Sequence, residues 1–242
     1  MRLRSPLVAL LASMVVLAAC RSSDSGPQES AATVPAAGAA ARASGAAGGT
    51  PAADSAFLAT ADANRIQGSP AASVWLLVIS DFQCPFCRLW HEQTYDALVR
   101  EYVQPGRIRM AYINLPLSNH ANAGPAAEAA MCAGVQGKFW PMHDQIFRSQ
   151  ERWTPLPDAV PTYDALATGL GLDMAAWRSC MSGRRTAPMV AADASRAGQI
   201  GVRSTPTFIV MQGQQPMKAI AGAFPIDTFR VALDRALAGA RP

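Results

Sequence analysis

Immediately ahead of the first cysteine pair lies a continuous apolar run, VWLLVI, residues 74–79, rich in β-branched and aromatic side chains. A continuous run of this length predicts a strand covered on both faces. From Pro85 the period changes. Phe86, Trp90, Thr94, Leu98 and Tyr102 recur every fourth residue with charges between them, which predicts an amphipathic helix ending at Pro105 and Gly106. Residues 108–115, IRMAYINL, predict a second apolar strand. Strand, helix and strand on short links make a βαβ unit, so these two strands should run parallel.

A long helical stretch follows, from about 120 to 200. NAGPAAEAAMCAG is Ala-rich, KFWPMHDQIFRSQ places Phe139, Met142 and Ile146 on one face, and TYDALATGLG and DMAAWRSCMSG each close on glycine. The strand period returns at residues 207–211 and 217–221, with QGQQP as the turn between them. Phe229, Leu233 and Leu237 mark a last helix. The predicted fold is α/β, in the order β-α-β, helical insertion, β-β-α.

The N-terminal third follows a different pattern. Arg2 and Arg4 precede a short apolar core at residues 7–17, the layout of a secretory signal rather than a spanning helix. Leu17-Ala18-Ala19-Cys20 resembles the lipobox of bacterial lipoproteins, which implies cleavage after residue 19 and lipid on Cys20. A retained signal anchor and an ordinary cleavage site are the alternatives. Arg21, rather than an aspartate, follows Cys20 and favours the outer membrane. Residues 20–60 are mostly Ala, Gly, Ser, Pro and Thr and offer little to bury, so they predict a flexible tether. Residues 61–242 then form one domain. The net charge of +4 falls further when the signal takes two arginines with it, and nothing points to nucleic acid.

The chemistry lies in the cysteines. With Cys20 assigned to lipid, four remain, an even number for an exported protein. Cys132 and Cys180 are expected to form a structural disulfide that pins the insertion, with a second redox pair as the alternative. Cys84 and Cys87 form CPFC where the first strand becomes a helix. No second close pair or histidine cluster is visible in the sequence, because His91, His120 and His143 are scattered and have bland surface or packing roles, so no metal is expected. At a helix N-terminus, backbone N–H groups and the helix dipole favour thiolate at Cys84. Cys84 is then the exposed attacking or leaving sulfur, and Cys87, one turn in, the buried resolving thiol. Pro85 suits the first helical turn. Far along the chain, Thr205-Pro206 precedes a buried strand, where proline sits only at a strand's start or in a bend.

On SDFQCPFC, GKFWPMHDQIF and GVRSTPTFIV, in that order and spacing, the chain resembles the DsbA-like thiol:disulfide oxidoreductases of the thioredoxin superfamily. The resemblance implies a thioredoxin fold with a helical insertion, Cys84 as nucleophile, Cys87 as resolving cysteine, and Pro206 as a cis-proline. It implies that Pro85, Phe86 and Thr205 bind substrate or tune the redox balance. It further implies a redox disulfide with no added cofactor, reduced secreted proteins as substrates, a membrane redox partner of the DsbB or VKOR type, a monomer, and a periplasmic or extracytoplasmic location. One position departs from the pattern. Six residues before the first cysteine the family carries a buried acid, and here stands Val78, leaving proton transfer to water or Asp81. The expected role is oxidase. Reductase or isomerase roles on the same site, and a tethered binding or chaperone module with CPFC as a staple, are the alternatives.

Overall fold

The structure, a computed structural model, describes residues 51–239. The signal segment, Cys20 and the first part of the tether lie outside the described residues. Five strands form one sheet in the order β1-β3-β2-β4-β5. They are β1 (Ile66–Gly68), β2 (Val74–Ser80), β3 (Arg109–Asn114), β4 (Thr207–Gln212) and β5 (Gln215–Ala221). β2 and β3 pair in parallel, as the βαβ argument requires, and β4 and β5 pair antiparallel on the other side of β2. The short strand β1 adds an antiparallel edge on β3. Three residues give no periodic signal, so the sequence does not predict it. The other edge, β5, carries Pro216 and Lys218, residues that discourage further strand pairing.

β2 is not equally covered on its two faces. Val74, Leu76 and Val78 are buried in the main core with Phe208, Val210 and Tyr112, whereas Trp75 and Leu77 on the opposite face are only half-buried. That second face is closed by a smaller cluster, in which Ile79 and Leu115 meet Ala197. Small alanines on the covering helix leave the face thinly packed, and the Arg109 guanidinium lies over the Trp75 ring at 4.0 Å.

The helix after the CPFC spans 85–103 without a break and contains two π-helical stretches, His91–Tyr95 and Val99–Val103. Gly106, at φ 74°, turns the chain back toward β3. We call this helix α2. The C-terminal helix Ile226–Gly239 packs beside it on the same face of the sheet, where Trp90, Phe208 and Phe229 meet ring to ring.

The insertion is helical throughout. Its centre is Ala123–Val135, which we call α3, with Phe139–Arg148 (α4), Gln150–Trp153 (α5), Val160–Gly169 (α6), Met174–Ser182 (α7) and Ala187–Gln199 (α8) around it. The alanines of α3 are buried almost without exception and let its neighbours approach closely. Asp173 caps α7 by accepting the N–H groups of Ala175 and Ala176. Cys132 on α3 is joined to Cys180 on α7 by a disulfide.

One boundary differs from expectation. Residues 51–64, expected mostly as tether, form the helix Pro51–Asn64 (α1), which packs on α3. Ala61 is fully buried, Phe57 packs on the core under the Arg185 guanidinium, and Asp54 pairs with Arg185 at 2.8 Å. Composition alone reads this Ala-rich segment as a linker, but a flat alanine surface against another alanine helix can bury apolar area without large side chains.

Candidate active site

β2 delivers the chain into a tight turn, Asp81-Phe82-Gln83, and Cys84 is the N-cap of α2, with Pro85 at the first helical position. The Asp81 carboxylate shapes this turn. One oxygen accepts the Gln83 N–H at 2.7 Å, and the other accepts the Leu117 N–H at 2.8 Å and meets His120 Nδ1 at 2.7 Å. Gln83 Oε1 accepts the Asn122 N–H at 2.7 Å. From the insertion, Gln150 Nε2 donates to the carbonyls of Phe82 and Cys84. The sequence offers no signal for Gln150. The role of His120 is likewise hidden, since 39 residues separate it from Asp81.

The Thr205–Pro206 peptide is cis, and it brings the Thr205 carbonyl against the redox pair, where it accepts from Cys84 Sγ at 3.4 Å. This contact corrects one expectation. Cys84 is not exposed: only 4% of its surface meets solvent, because its sulfur turns back under the Thr205 loop. The neighbouring Phe86 is the exposed group, at 62%. Phe86 and Leu89 form one wall of a groove of about 390 Å³, with Thr205 and Gly222 opposite.

The two thiols are chemically unequal. A hydrogen bond from the Cys87 thiol holds Cys84 down at about 6 against the opposing effect of burial, and the backbone N–H groups of Cys87 and Phe86 add to it. Cys87 is pushed well up, first by burial and then by the Cys84 sulfur it faces. Val78, at the position six residues before Cys84, is buried between Tyr112 and Phe208 on the neighbouring strands. The polar side chains beside Cys87 are therefore hydroxyls, those of Ser80 and Tyr112, and burial drives the Tyr112 phenol well above its usual range.

Two of the three histidines prove not to be scattered. His91 on α2 and His143 on α4 both bond Asp144 Oδ1, at 3.0 and 2.9 Å, inside a nest of rings that includes Phe82, Tyr95 and Phe147. Three possible ligand atoms lie within 4.8 Å of one another, but each ring spends a nitrogen on the carboxylate. Burial pushes His143 down to about 4, which keeps it neutral. Burial alone would raise Asp144, and the hydrogen bonds from His143 and His91 overcome it and hold the carboxyl below its usual range. The cluster bolts the sheet half of the molecule to the insertion, one helical turn past Cys87.

A sequence profile described as Thioredoxin matches residues 60–234. The chain belongs to the thioredoxin family. Among solved members of this fold, alpha-DsbA1 of Wolbachia pipientis superposes with a TM-score of 0.65 over 73% of this chain and 92% of that one, at 19% identity. Oxidised BdbD of Bacillus subtilis gives 0.64 over 72% and 93%, at 17% identity. The fold is thus the DsbA form of the thioredoxin architecture, with its helical insertion. Among curated relatives, "Na(+)/H(+) antiporter NhaA 1" of Salinispora arenicola is 33% identical over 181 residues, 74% of this chain. "Probable disulfide bond formation protein D" of Bacillus anthracis is 33% identical over 88 residues, 36% of this chain. The chain spans only 26% of the length of that antiporter and 41% of the Bacillus protein.

Proposed function

We propose that the protein is an exported thiol–disulfide oxidoreductase that acts as an oxidase of other proteins. The observation that carries this is the unequal pair: a Cys84 sulfur held at about 6 beside a Cys87 thiol pushed far up. A staple needs no such asymmetry, and an exchanging pair uses it. A substrate thiolate attacks Cys84 Sγ, the Cys84–Cys87 bond breaks, and Cys87 leaves with a proton. The substrate's second thiolate then attacks its own mixed-disulfide sulfur and expels Cys84 as a stable thiolate. Two electrons pass to the pair and the substrate gains a disulfide. The step that releases product uses the better leaving group, and it does not need an acid at position 78.

The groove beside Phe86 and the Thr205 carbonyl supplies a place for substrate backbone. Reduced secreted proteins are the substrates, no cofactor beyond the disulfide is needed, and a membrane partner of the DsbB or VKOR type would remove the electrons. The relative named as a disulfide bond formation protein supports this activity. The relative named as an antiporter supports a place close to a membrane, which here would be reached through lipid on Cys20, with the outer membrane preferred. The protein would work as a monomer.

The direction is read from equilibrium with glutathione. About 30 mV corresponds to ~1.4 kcal/mol for the two-electron couple, a tenfold change. We expect the Cys84–Cys87 disulfide to be more oxidising than glutathione disulfide. A clearly reducing pair would assign the site to reductase chemistry instead. Cys84→Ser is expected to abolish oxidation of a reduced, unfolded substrate, and retained activity would sink the exchange reading.

A further inference from the structure

The turn that presents Cys84 is held from outside by a residue of the insertion. Gln150 lies 66 residues beyond Cys84, yet its side-chain Nε2 is 3.0 Å from the Cys84 carbonyl oxygen and 2.6 Å from that of Phe82. Only 4% of it is exposed. Its own position is fixed independently. The Ser149 hydroxyl donates to the Gln145 carbonyl at 2.6 Å, the Trp153 indole donates to the Ile146 carbonyl at 2.9 Å, and Glu151 pairs with Arg88 of α2 at 2.8 Å.

Two carbonyls flanking a cysteine that becomes a thiolate turn negative ends into its surroundings. An amide N–H on each of them offsets that effect, on the Cys84 carbonyl together with the Arg88 N–H at 3.2 Å. In a buried setting such dipoles act with little screening. Their effect depends on redox state, because the thiolate exists only when the pair is reduced. A group that favours the thiolate favours the reduced pair, and so makes the disulfide a stronger oxidant.

We propose that Gln150 is a positioning residue that sets the oxidising strength of the Cys84–Cys87 pair. It fixes the turn and spends its amide hydrogens on the Phe82 and Cys84 carbonyls. The proposal rests on the exchange reading above. It also gives the helical insertion a direct part in the redox chemistry.

The test uses the full chain with Gln150→Met, which keeps the length and removes the donor. Three quantities are read: the pH midpoint of Cys84 thiolate absorbance, the equilibrium constant with glutathione, and the thermal midpoint. The expected result is a higher Cys84 midpoint and a disulfide less oxidising by roughly threefold to tenfold, the scale of one net hydrogen bond. A variant with a lower thermal midpoint but unchanged thiolate midpoint and glutathione equilibrium overturns the proposal and leaves Gln150 a structural prop. Should the variant not fold, NMR of the unmutated protein decides. The Gln150 side-chain amide resonances should move with the Cys84 midpoint and differ between reduced and oxidised protein, and resonances blind to both overturn it. An unmutated protein that does not exchange with glutathione at all sinks the exchange reading and this proposal together. A failure of Gln150 alone looks different, since the unmutated protein then exchanges and the variant matches it.

Discussion

Cys84 is covered rather than open, and its reactivity comes from what covers it. The Cys87 thiol and two backbone N–H groups stabilise its anion, and they outweigh burial. The lowered value belongs to the folded, reduced protein, so its stabilisation is complete above the ordinary thiol value of 9.0 and is lost as the pH falls through about 6. Alkylation of the reduced protein should therefore rise through a midpoint near 6 and level off above it, with Cys84 modified and Cys87 spared. Cys87→Ala removes the largest stabilising contact. A hydrogen bond to a charged group contributes ~1.5–3 kcal/mol, so the midpoint should move up by about one to two units. An unmoved midpoint in that variant would show that backbone N–H groups alone hold the thiolate. At this scale the sequence was most informative where chemistry is local. CPFC on a strand-to-helix turn announces unequal cysteines, and Thr205-Pro206 announces a bend. It points to an exposed Cys84, which the fold buries, and it is silent on the Gln150 amide and the His91–Asp144–His143 cluster, because each depends on contacts between segments dozens of residues apart.

Elements were legible in proportion to their period. β2, α2, β3, β4, β5, the insertion and the final helix follow from apolar positions recurring at strand or helix spacing. β1 has too few residues for a period, and the π stretches of α2 leave its apolar spacing intact, so neither shows in the sequence. α1 was hidden for another reason: alanine is uninformative about burial until a flat partner such as α3 is in place. The disulfide between α3 and α7 acts at this scale. Cys132 and Cys180 are both buried, and 48 residues separate them. In the chain-entropy account, closing a loop of that length stabilises the fold by about 4 kcal/mol. Cys132→Ala/Cys180→Ala should lower unfolding stability by roughly 2–5 kcal/mol, measured by denaturant titration. Alkylation of Cys84 should keep its pH midpoint, since the pair closes helices of the insertion and does not touch Cys84. A midpoint that moves with the disulfide would instead make Cys132 and Cys180 a second redox pair coupled to the first.

At the scale of the whole molecule, the described residues are folded from Pro51 onward, and the sequence ahead of them resembles an export and lipidation signal. No helix among the described residues is long and apolar enough to cross a membrane. The lipid proposed on Cys20 would supply a hold on the bilayer. Each buried methylene contributes ~0.8 kcal/mol, and one chain alone gives only reversible binding, so stable anchoring needs lipid on both the sulfur and the amine. In Cys20→Ala, the protein should move from the membrane pellet to the soluble fraction, while its equilibrium with glutathione stays at the unmutated value, because the site is built from residues 78 onward. Oxidation of a soluble substrate should likewise persist. Recycling by a membrane-bound electron acceptor should slow, since that step alone depends on being held beside it. A variant that stays in the pellet would remove the lipid anchor from this account and leave the redox chemistry standing.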